Sequence, residues 1–435
     1  MMRVLLFLGL VALSLAIKKR YDGDHVLSVY PTDEYTVHYM HDLYNREYLY
    51  MDLWTEPRAV FSPIVFRVTA DRYVEITRQL DEAGIAYDIR VNDIQTLIDE
   101  EEAILSAKDY SQIVPEDFDA YWPFDTLMSW TEDISANRCG GRCAITSIGT
   151  SYEGRNIRLI KIGTQTNTTK RAVFIDCGIH AREWIAPATC TYFIWRLTQD
   201  YGSVAEVTRL VDTYDFFIQP VVNPDGYEYT RDVERLWRKT RSDYNDALGC
   251  IGTDGNRNYG SYWGSDEGGA SDEPCSDTYH GPSEFSEVES QRQRDFILPI
   301  KDRFIAFWTV HSFGQYMLWP WGSVFDVPPN EAELDQVGQA IVDAIFNVHG
   351  RVYTQGQSAV VLYGTQGSSQ DWAYAWEGNP GGSGAGIEYS YTPELRDTGT
   401  WGFELPPDQI LPVGQEMWAG LQAMIREIES IGLPP

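Results

Sequence analysis

The histidine and glutamate residues with the most informative spacing in this sequence lie directly after two strongly apolar segments. His180 follows VFIDCGI and opens the run His180-Ala181-Arg182-Glu183, whereas His311 follows IAFWTV. A His-x-x-Glu pattern at the end of a strand lets one tight turn aim an imidazole and a carboxylate at the same point, and a distant histidine completes the set. Such a set leaves a fourth position for water, as catalytic zinc requires. The pattern alone is weak evidence, because most histidines have structural roles.

The elements that must position these residues have the alternating pattern of an α/β protein. Apolar strand patterns occur at RAVFIDCGI, DFFIQPVVN, RFIAFWTVH and GIEYSYTPEL, and helical patterns at IAPATCTYFIWRLTQDYG, SEVESQRQRDFILPI and GQEMWAGLQAMIREIESI. Strands that are apolar along their whole length indicate a sheet whose faces are covered by helices. We therefore predict an α/β domain over residues 109–435, with a central mixed, mostly parallel β-sheet flanked by helices.

A smaller unit is predicted over residues 17–108. HVLSVY, YLYMDLW, PIVFRVT and IAYDIRV have strand patterns, and TDEYTVHYMHDLY and DRYVEITRQLDEAG have helical ones. In the second helix Val74, Ile76 and Leu80 are expected near one face. The order β-α-β-β-α-β is that of a ferredoxin-like open sandwich.

A further helix is predicted over DIQTLIDEEEAILSAK, capped by Asn92 and ending near Lys108. We interpret it as a connecting helix that leads to a basic residue at which a trypsin-like protease could cut. The alternative is an ordinary solvated helix between two domains.

Residues 1–16, MMRVLLFLGLVALSLA, have the pattern of a secretory signal peptide. Arg3 supplies the positive end, an apolar run follows, and Ser14 and Ala16 are the small residues of a cleavage site. The run is shorter than the roughly 20 residues that span a bilayer. A buried N-terminal helix is the alternative, and we expect a secreted, extracellular protein.

Six cysteines in an exported chain should form disulfides. Fifteen connectivities are possible for six cysteines. Pairing of nearest neighbours is the simplest, and the glycines of NRCGGRC make a tight loop feasible between Cys139 and Cys143.

The composition limits the classes of function. The 435 residues include 34 Lys and Arg against 64 Asp and Glu, a net charge of −30, and 13% of them are aromatic. Such an acidic chain repels phosphate backbones and anionic lipids, so we expect no nucleic-acid and no membrane partner. No Walker loop, GxGxxG or GxSxG motif occurs in the sequence.

Six motifs occur in a fixed order across the larger domain: GIHAREW, LWRKTRS, DGNRN, TVHSFGQ, LYGTQGSSQDW and PELRDTGTWGF. With these motifs the sequence resembles the secreted zinc metallocarboxypeptidases of the pancreatic carboxypeptidase A/B type. The resemblance covers essentially the whole chain. It implies a signal peptide at 1–16, an activation prosegment at 17–108 and a catalytic domain at 109–435.

The resemblance also implies the roles of the chemical groups. His180, Glu183 and His311 match the ligands of one Zn²⁺ per chain. Asp254 matches the carboxylate that orients the first imidazole. Arg238 matches the arginine that stabilises the oxyanion, and Glu394 matches the general base. The remaining matches bind substrate. Asn256, Arg257 and Tyr363 match the clamp on the terminal carboxylate, Arg182 matches an outer-subsite arginine with Phe313 beside that subsite, and Ser312 is a further substrate-binding residue.

The specificity pocket follows from the same resemblance. Gln370 falls at its floor, where relatives that prefer Arg or Lys carry an acid and those that prefer apolar residues carry an aliphatic side chain. The expected walls are Leu318, Gly322, Ser358, Thr365 and Thr392. An uncharged floor predicts a preference for neutral C-terminal residues, aromatic or aliphatic first, with polar neutral ones tolerated.

Other features either match the resemblance or depart from it. Cys177–Cys190 resembles a bridge of the B-type enzymes and Cys250–Cys275 one that the family shares, whereas Cys139–Cys143 rests on proximity. Phe313 stands where many relatives have tyrosine, and AWEGNPGGSGAGIEYS suggests a longer surface loop. Asn167 begins a glycosylation sequon.

The leading hypothesis is a secreted digestive zymogen that hydrolyses the C-terminal peptide bond of peptides and proteins after activation by a trypsin-like protease. One alternative is an inactive relative that binds peptide ends, but Glu394 and all three ligands are present. Another is a regulatory processing enzyme, whose branch typically lacks the activation segment.

Overall fold

The computed structural model describes residues 18–57, 60–110, 117–265 and 268–432. The predicted signal segment, residues 1–16, therefore lies outside the described residues. No helix in the described ranges is both long and apolar enough to cross a membrane.

The N-terminal unit has the predicted order of elements. These are β1 (His25–Val29), α1 (Glu34–Glu47), β2 (Met51–Leu53), β3 (Ile64–Val68), α2 (Tyr73–Glu82) and β4 (Tyr87–Val91). The strands form an antiparallel sheet in the order β2-β3-β1-β4. Leu27 and Phe66 from the sheet pack with Met40 and Leu80 from the helices in one core. The ferredoxin-like open sandwich is confirmed.

Two local predictions in this unit were wrong. Val74 is 74% exposed, although Ile76 and Leu80 of the same helix are fully buried, because the apolar face of α2 is narrower than the spacing suggested. The connecting helix α3 (Ile94–Ser106) is capped by Asp93 rather than by Asn92. The Asp93 carboxylate accepts a hydrogen bond from the Gln95 N–H at 3.1 Å, which satisfies one free donor of the first turn.

The larger unit contains an eight-stranded sheet in the order β11-β10-β12-β9-β7-β8-β6-β5. The strands are β5 (Cys143–Thr150), β6 (Asn156–Ile162), β7 (Ala172–Cys177), β8 (Asp215–Gln219), β9 (Phe304–Ser312), β10 (Tyr316–Trp319), β11 (Thr354–Gln357) and β12 (Tyr389–Leu395). The central strands β12, β9, β7 and β8 are parallel, and antiparallel pairs occur at β10–β12, β6–β8 and β5–β6. The sheet is mixed, as predicted.

Helices cover the sheet. They are α4 (Phe124–Asp133), α5 (Ile185–Gln199), α6 (Ala205–Thr213), α7 (Pro224–Asp232), α8 (Val288–Ile297), α9 (Glu331–His349), α10 (Ser358–Val361), α11 (Ser369–Tyr374) and α12 (Ile410–Ile431). Every residue of β7 and β9 is buried, which explains their continuous apolar sequences. Because β7 and β9 are parallel neighbours, their carboxyl ends lie at the same edge of this covered sheet.

Candidate active site

The carboxyl ends of three parallel strands bring the principal candidate residues together. β7 ends at Cys177, directly before the turn that carries His180, and His311 and Ser312 are the last two residues of β9. β12 pairs with β9 so that Glu394 lies opposite His311. Gly178 begins the turn after β7 with φ of 69°, and a Cβ there would lie 2.9 Å from Pro187. The turn that aims His180 therefore requires glycine at this position.

Three buried side chains converge on one point. His180 Nδ1 lies 2.7 Å from Glu183 Oε1 and 3.0 Å from His311 Nδ1, and His311 Nδ1 lies 3.1 Å from Glu183 Oε2. These three groups form a possible metal-ligand cluster. Two imidazole nitrogens and one carboxylate are the ligand set of catalytic zinc sites, so the residues present fit a zinc ion.

Asp254 orients the first imidazole. Its Oδ1 accepts a hydrogen bond from His180 Nε2 at 2.9 Å, and its Oδ2 accepts from Arg238 Nη2 at 2.8 Å. Burial alone would raise the pKa of Asp254, but the charges of Arg238, His180 and Arg257 hold it well below its usual value. With a proton on Nε2, His180 keeps the Nδ1 lone pair for a metal.

Glu394 has the opposite electrostatic environment. Burial and the nearby negative charge of Glu183 raise the pKa of Glu394 well above its usual value, while His180 and Arg238 act in the other direction. A carboxyl group of this kind, beside a metal site, is suited to accept and return a proton.

One cavity joins these groups to most of the predicted substrate residues. From the larger unit it is lined by His180, Glu183, Arg238, Asn256, Arg257, Ser312, Phe313, Leu318, Ser358, Tyr363, Thr365, Gln370, Thr392, Glu394 and Phe403, among others. Gly322 lies next to this cavity, since a Cβ on it would be 2.1 Å from Thr365 Oγ1. Most of the predicted substrate residues therefore line the same cavity as His180 and Glu183. Arg182 is not among the lining residues, and its guanidinium instead contacts Asp52 of the N-terminal unit.

Arg257 is suited to bind an anion. Its side chain is 1% exposed, and its Nη2 makes no hydrogen bond within the described ranges. The Arg257 guanidinium carbon lies 5.8 Å from the centre of the Tyr363 ring. A buried, incompletely paired guanidinium can take both oxygens of a carboxylate.

Gln370 is one of the lining residues of the cavity and is 2% exposed. Its Nε2 donates a hydrogen bond to the Leu318 carbonyl at 2.8 Å, which fixes the orientation of the amide. The adjacent Asp371 accepts hydrogen bonds from the N–H groups of Gly322 and Ser323. These bonds tie the segment that carries Gln370 to the backbone at Gly322, which the sequence analysis assigned to the floor and one wall of the specificity pocket.

The N-terminal unit covers the cavity through residues that the sequence analysis did not single out. Trp54 packs edge-on against Phe313 and Phe403, with ring centres 5.9 and 5.1 Å away. Both Asp52 carboxylate oxygens lie 3.0 Å from Arg182 Nη1. Arg182 is 1% exposed and is therefore closed off from solvent.

Two more acidic residues of that unit face arginines. Burial raises the pKa of Glu56, although the positive charges of Arg257 and Arg238 oppose the rise. Glu101 of α3 pairs with Arg235 at 2.6 Å. A single buried acid in an otherwise polar run such as DEEE gives no local signal of its partner, which explains why these contacts were missed.

The cysteines pair as nearest neighbours, which settles the connectivity that the sequence left open. The bonds are Cys139–Cys143, Cys177–Cys190 and Cys250–Cys275. Asn167 is exposed and therefore accessible for modification.

The fold and the site together define a metal-dependent hydrolase whose N-terminal unit covers its own active-site cleft. The zinc carboxypeptidase family model matches residues 127–420, and the carboxypeptidase activation peptide model matches residues 27–101. The chain belongs to the zinc carboxypeptidase family and carries an activation peptide.

Individual relatives agree with this assignment. Carboxypeptidase A2 of Mus musculus is 36% identical over 407 residues, covering 93% of this chain and 94% of the relative. Carboxypeptidase B of Bos taurus is 36% identical over 422 residues, covering 95% and 96%. The crystal structure of thrombin activatable fibrinolysis inhibitor superposes with a TM-score of 0.82 at 31% identity, covering 94% of this chain and 100% of that one. The chain is thus a zinc metallocarboxypeptidase in zymogen form.

Proposed function

We propose that the chain is a secreted digestive zymogen that, once activated, removes neutral residues from the C-terminal ends of peptides and proteins. The observation that carries this proposal is one cavity lined by His180 and Glu183 of the metal-ligand cluster, by Glu394 and by an incompletely paired Arg257. A buried guanidinium that recognises a free carboxylate selects the last residue of a chain.

The proposed roles divide the reaction among the residues of the cavity. The chemistry that zinc supplies when bound to such a cluster is Lewis acidity, which lowers the pKa of water. Glu394 accepts a proton from the attacking water and returns it to the departing amine. Arg238, held by Asp254, stabilises the negative oxygen that develops on the scissile carbonyl. Arg257, Asn256 and Tyr363 hold the terminal carboxylate.

A matched pair of peptides tests the function. After activation, a peptide ending in phenylalanine should be shortened by one residue, and a chelator should abolish the cleavage. The same peptide with a C-terminal amide should react about ten- to hundredfold more slowly, because a charge-assisted hydrogen-bonded pair contributes about 1.5–3 kcal/mol. Binding of the free peptide without any cleavage would instead support the inactive peptide-binding alternative.

The proposed preference for neutral residues rests on Gln370. A buried Arg or Lys side chain would lose water there without a counter-ion, at a cost of about 2–7 kcal/mol for even a neutral polar group and more for a charge. An acidic side chain would face the same lack of a partner. Apolar side chains meet no such penalty, and the Gln370 oxygen can accept a hydrogen bond from glutamine.

The measurement is kcat/KM over peptides ending in Phe, Leu, Gln, Arg and Glu. Phe and Leu should be cleaved fastest, with Gln next. Gln370→Asp should raise the removal of a C-terminal Arg relative to that of a C-terminal Phe, because the new carboxylate supplies a counter-ion for Arg and none is needed for Phe. Retained cleavage of the Phe peptide then serves as the internal control for folding. If Arg or Glu exceeds Phe by tenfold in the unsubstituted protein, the role of Gln370 as a neutral floor is refuted.

A further inference from the structure

The ring nitrogen of His311 that faces away from the metal-ligand cluster lies between two polar groups. His311 Nε2 is 3.4 Å from Thr309 Oγ1 and 3.4 Å from Asn256 Nδ2. The Asn256 oxygen accepts hydrogen bonds from the N–H and hydroxyl of Ser369 at 2.9 and 3.1 Å, so its NH₂ group must face His311. The two neighbours therefore favour opposite tautomers, because an NH₂ group can only donate.

The Thr309 hydroxyl has a fixed direction. Thr309 lies beside Asp176 in the pairing of β9 with β7, and its Oγ1 donates a hydrogen bond to Asp176 Oδ1 at 2.7 Å. Asp176 is 1% exposed, and its other oxygen accepts from Gln293 Nε2 at 2.9 Å. With its hydrogen committed to Asp176, the Thr309 oxygen presents only lone pairs to His311.

We propose that Thr309 and Asp176 are positioning residues that hold the proton of His311 on Nε2 and so keep Nδ1 free to bind zinc. This inference rests on the proposed ligand role of His311. The second imidazole is thus oriented by a carboxylate acting through a hydroxyl, whereas Asp254 acts directly on the first imidazole. Such outer partners typically change metal affinity by about ten- to a hundredfold.

The test is the zinc dissociation constant of the full-length chain, measured by competition with a chelator. Thr309→Val keeps the shape but removes the hydroxyl, and should weaken zinc binding about ten- to a hundredfold. Thr309→Ser keeps a hydroxyl at this position and should therefore retain the zinc affinity of the unsubstituted protein. Thr189→Val is the matched control, because the buried Thr189 hydroxyl donates to the Ile185 carbonyl of its own helix, α5, and has no other hydrogen bond among the described residues.

Unchanged zinc affinity in Thr309→Val would overturn the positioning role. His311→Ala separates this result from a failure of the site itself. If His311→Ala retains zinc with unchanged affinity, the proposed ligand set is wrong; if it loses zinc while Thr309→Val does not, only the positioning role is wrong.

A second, independent observation concerns Glu404, at the boundary between the two units. Glu404 is fully buried beside Arg235, with Oε1 4.0 Å from Arg235 Nη1. Neither of its oxygens bonds to another side chain within the described ranges. The Arg235 guanidinium instead pairs through Nε and Nη2 with Glu101 of α3, at 2.6 and 3.1 Å.

We propose that Glu404 replaces Glu101 as the partner of Arg235 when the N-terminal unit leaves, so that release of this unit is coupled to loss of a proton. Arg235 is held in place for either partner by the carbonyls of Arg182 and Phe403, at 3.0 and 2.8 Å. The exchange therefore needs only a small movement of the Glu404 side chain.

The charges around Glu404 set the direction of the effect. Burial and the Glu101 carboxylate raise the pKa of Glu404 to about 8, against the positive charges of Arg235 and Arg182. Burial keeps the pKa of the nearby Tyr121 well above its usual value, so Tyr121 stays neutral in this range. Once Glu101 leaves, the Glu404 pKa falls toward the ordinary value of about 4.3. Between the two values a rise in pH favours release, because the released state binds fewer protons.

The test uses full-length protein nicked by trypsin with the N-terminal unit retained. The dissociation constant of that unit, read from the activity that appears on dilution, should rise up to about tenfold per pH unit from pH 6 to 8. In Glu404→Gln and Glu404→Leu the dissociation constant should lose most of this dependence on pH. Glu289→Gln is the matched control: burial raises the pKa of Glu289 to about 8 as well, and Glu289 lies in α8, away from Glu101.

If the dissociation constant of the N-terminal unit depends equally on pH in the Glu404 variants and in the unsubstituted protein, the proposed exchange of Glu101 for Glu404 is overturned. A measurement on the intact chain gives a separate result. At pH 7 the unsubstituted protein should show the infrared carbonyl band of a protonated Glu404, and Glu404→Gln should lack this band. Above pH 9 the band should disappear from the unsubstituted protein as well, so the two spectra should no longer differ in it. No such difference at pH 7 would also overturn it.

Discussion

Two buried carboxyl groups near His180 have pKa values that are shifted in opposite directions. Burial acts on both, but Asp254 is surrounded by Arg238 and His180, which hold its pKa well below the usual value. Glu394 lies near the negative Glu183, and its pKa is raised well above the usual value. Environments that separate the pKa values of two acids commonly divide orienting and proton-transfer roles.

The first prediction concerns Glu394. Glu394→Gln preserves the shape but cannot accept a proton, so turnover should fall at least about a hundredfold. Zinc content, measured on the purified protein, should not change, because Glu394 is outside the proposed ligand cluster. Near-normal turnover would remove Glu394 from the mechanism, and Glu289→Gln is the control for loss of a buried carboxyl elsewhere.

The sequence predicted residues whose spacing follows the ends of strands, but not those whose partners are distant. His180 and Glu183 share one turn, so their joint role is visible locally. Asp52 reaches Arg182 across 130 positions of the chain, and nothing in YLYMDLW distinguishes it from an ordinary surface acid. The prediction that Val74 lies on the buried face of α2 was wrong for a related reason, since helical periodicity does not show how wide the buried face is.

At the scale of elements, β2 and the residues that follow it close the cleft. The Trp54 ring fills the space beside Phe313, and Asp52 neutralises Arg182. Asp52 is also 3.6 Å from Arg67, so its charge is shared between both units. The short edge strand β2 and the residue that follows it thus contribute both an apolar side chain, Trp54, and a buried ion pair to the closure of the cleft.

The second prediction concerns this ion pair. Asp52→Asn leaves the Arg182 charge without its principal partner, and breaking a buried pair costs about 3–5 kcal/mol. Residual activity of the intact zymogen should therefore rise at least about tenfold. Asp22→Asn is the matched control, because Asp22 pairs with Arg20 at an exposed position of the same unit. Equal residual activity in both variants would contradict the role of Asp52.

The ion pair also fixes the response to acid. Burial opposes ionisation of Asp52, but the charges of Arg182 and Arg67 lower its pKa below the usual 3.8. Its contribution to closure is therefore fully present above that value and is lost as the pH falls through the lowered pKa. The proposed effect of Glu404 has the opposite sign, because it weakens closure as the pH rises. Closure of the cleft should therefore be strongest at weakly acid pH.

At the scale of the molecule, two folded units are joined through α3, and the following residues are the proposed activation site. Lys108 has a partly exposed side chain that pairs with Asp119. The proposed ligands His180, Glu183 and His311 and the proposed base Glu394 all follow Lys108 in the sequence, so we expect the catalytic unit to need no residue of the N-terminal unit for chemistry.

The third prediction is that limited trypsin treatment cuts near Lys108 and raises activity on peptide substrates. Cleavage sites are read from the masses of the fragments, and activity is followed in the same samples. Lys108→Gln should slow the appearance of activity, with Lys301→Gln as the control in the catalytic unit. Full activity of the uncut chain would show that the N-terminal unit does not block the cleft.

The pairing of β9 with β12 has a consequence for the order of folding. Glu394 lies opposite His311 only in one register, and a shift by one residue would turn the side chains of β12 to the other face of the sheet. His180 and His311 are separated by 131 positions, so the cluster cannot assemble from local contacts alone. Zinc uptake should therefore occur late in refolding, after the central strands have paired, and would report completion of the sheet rather than its nucleation.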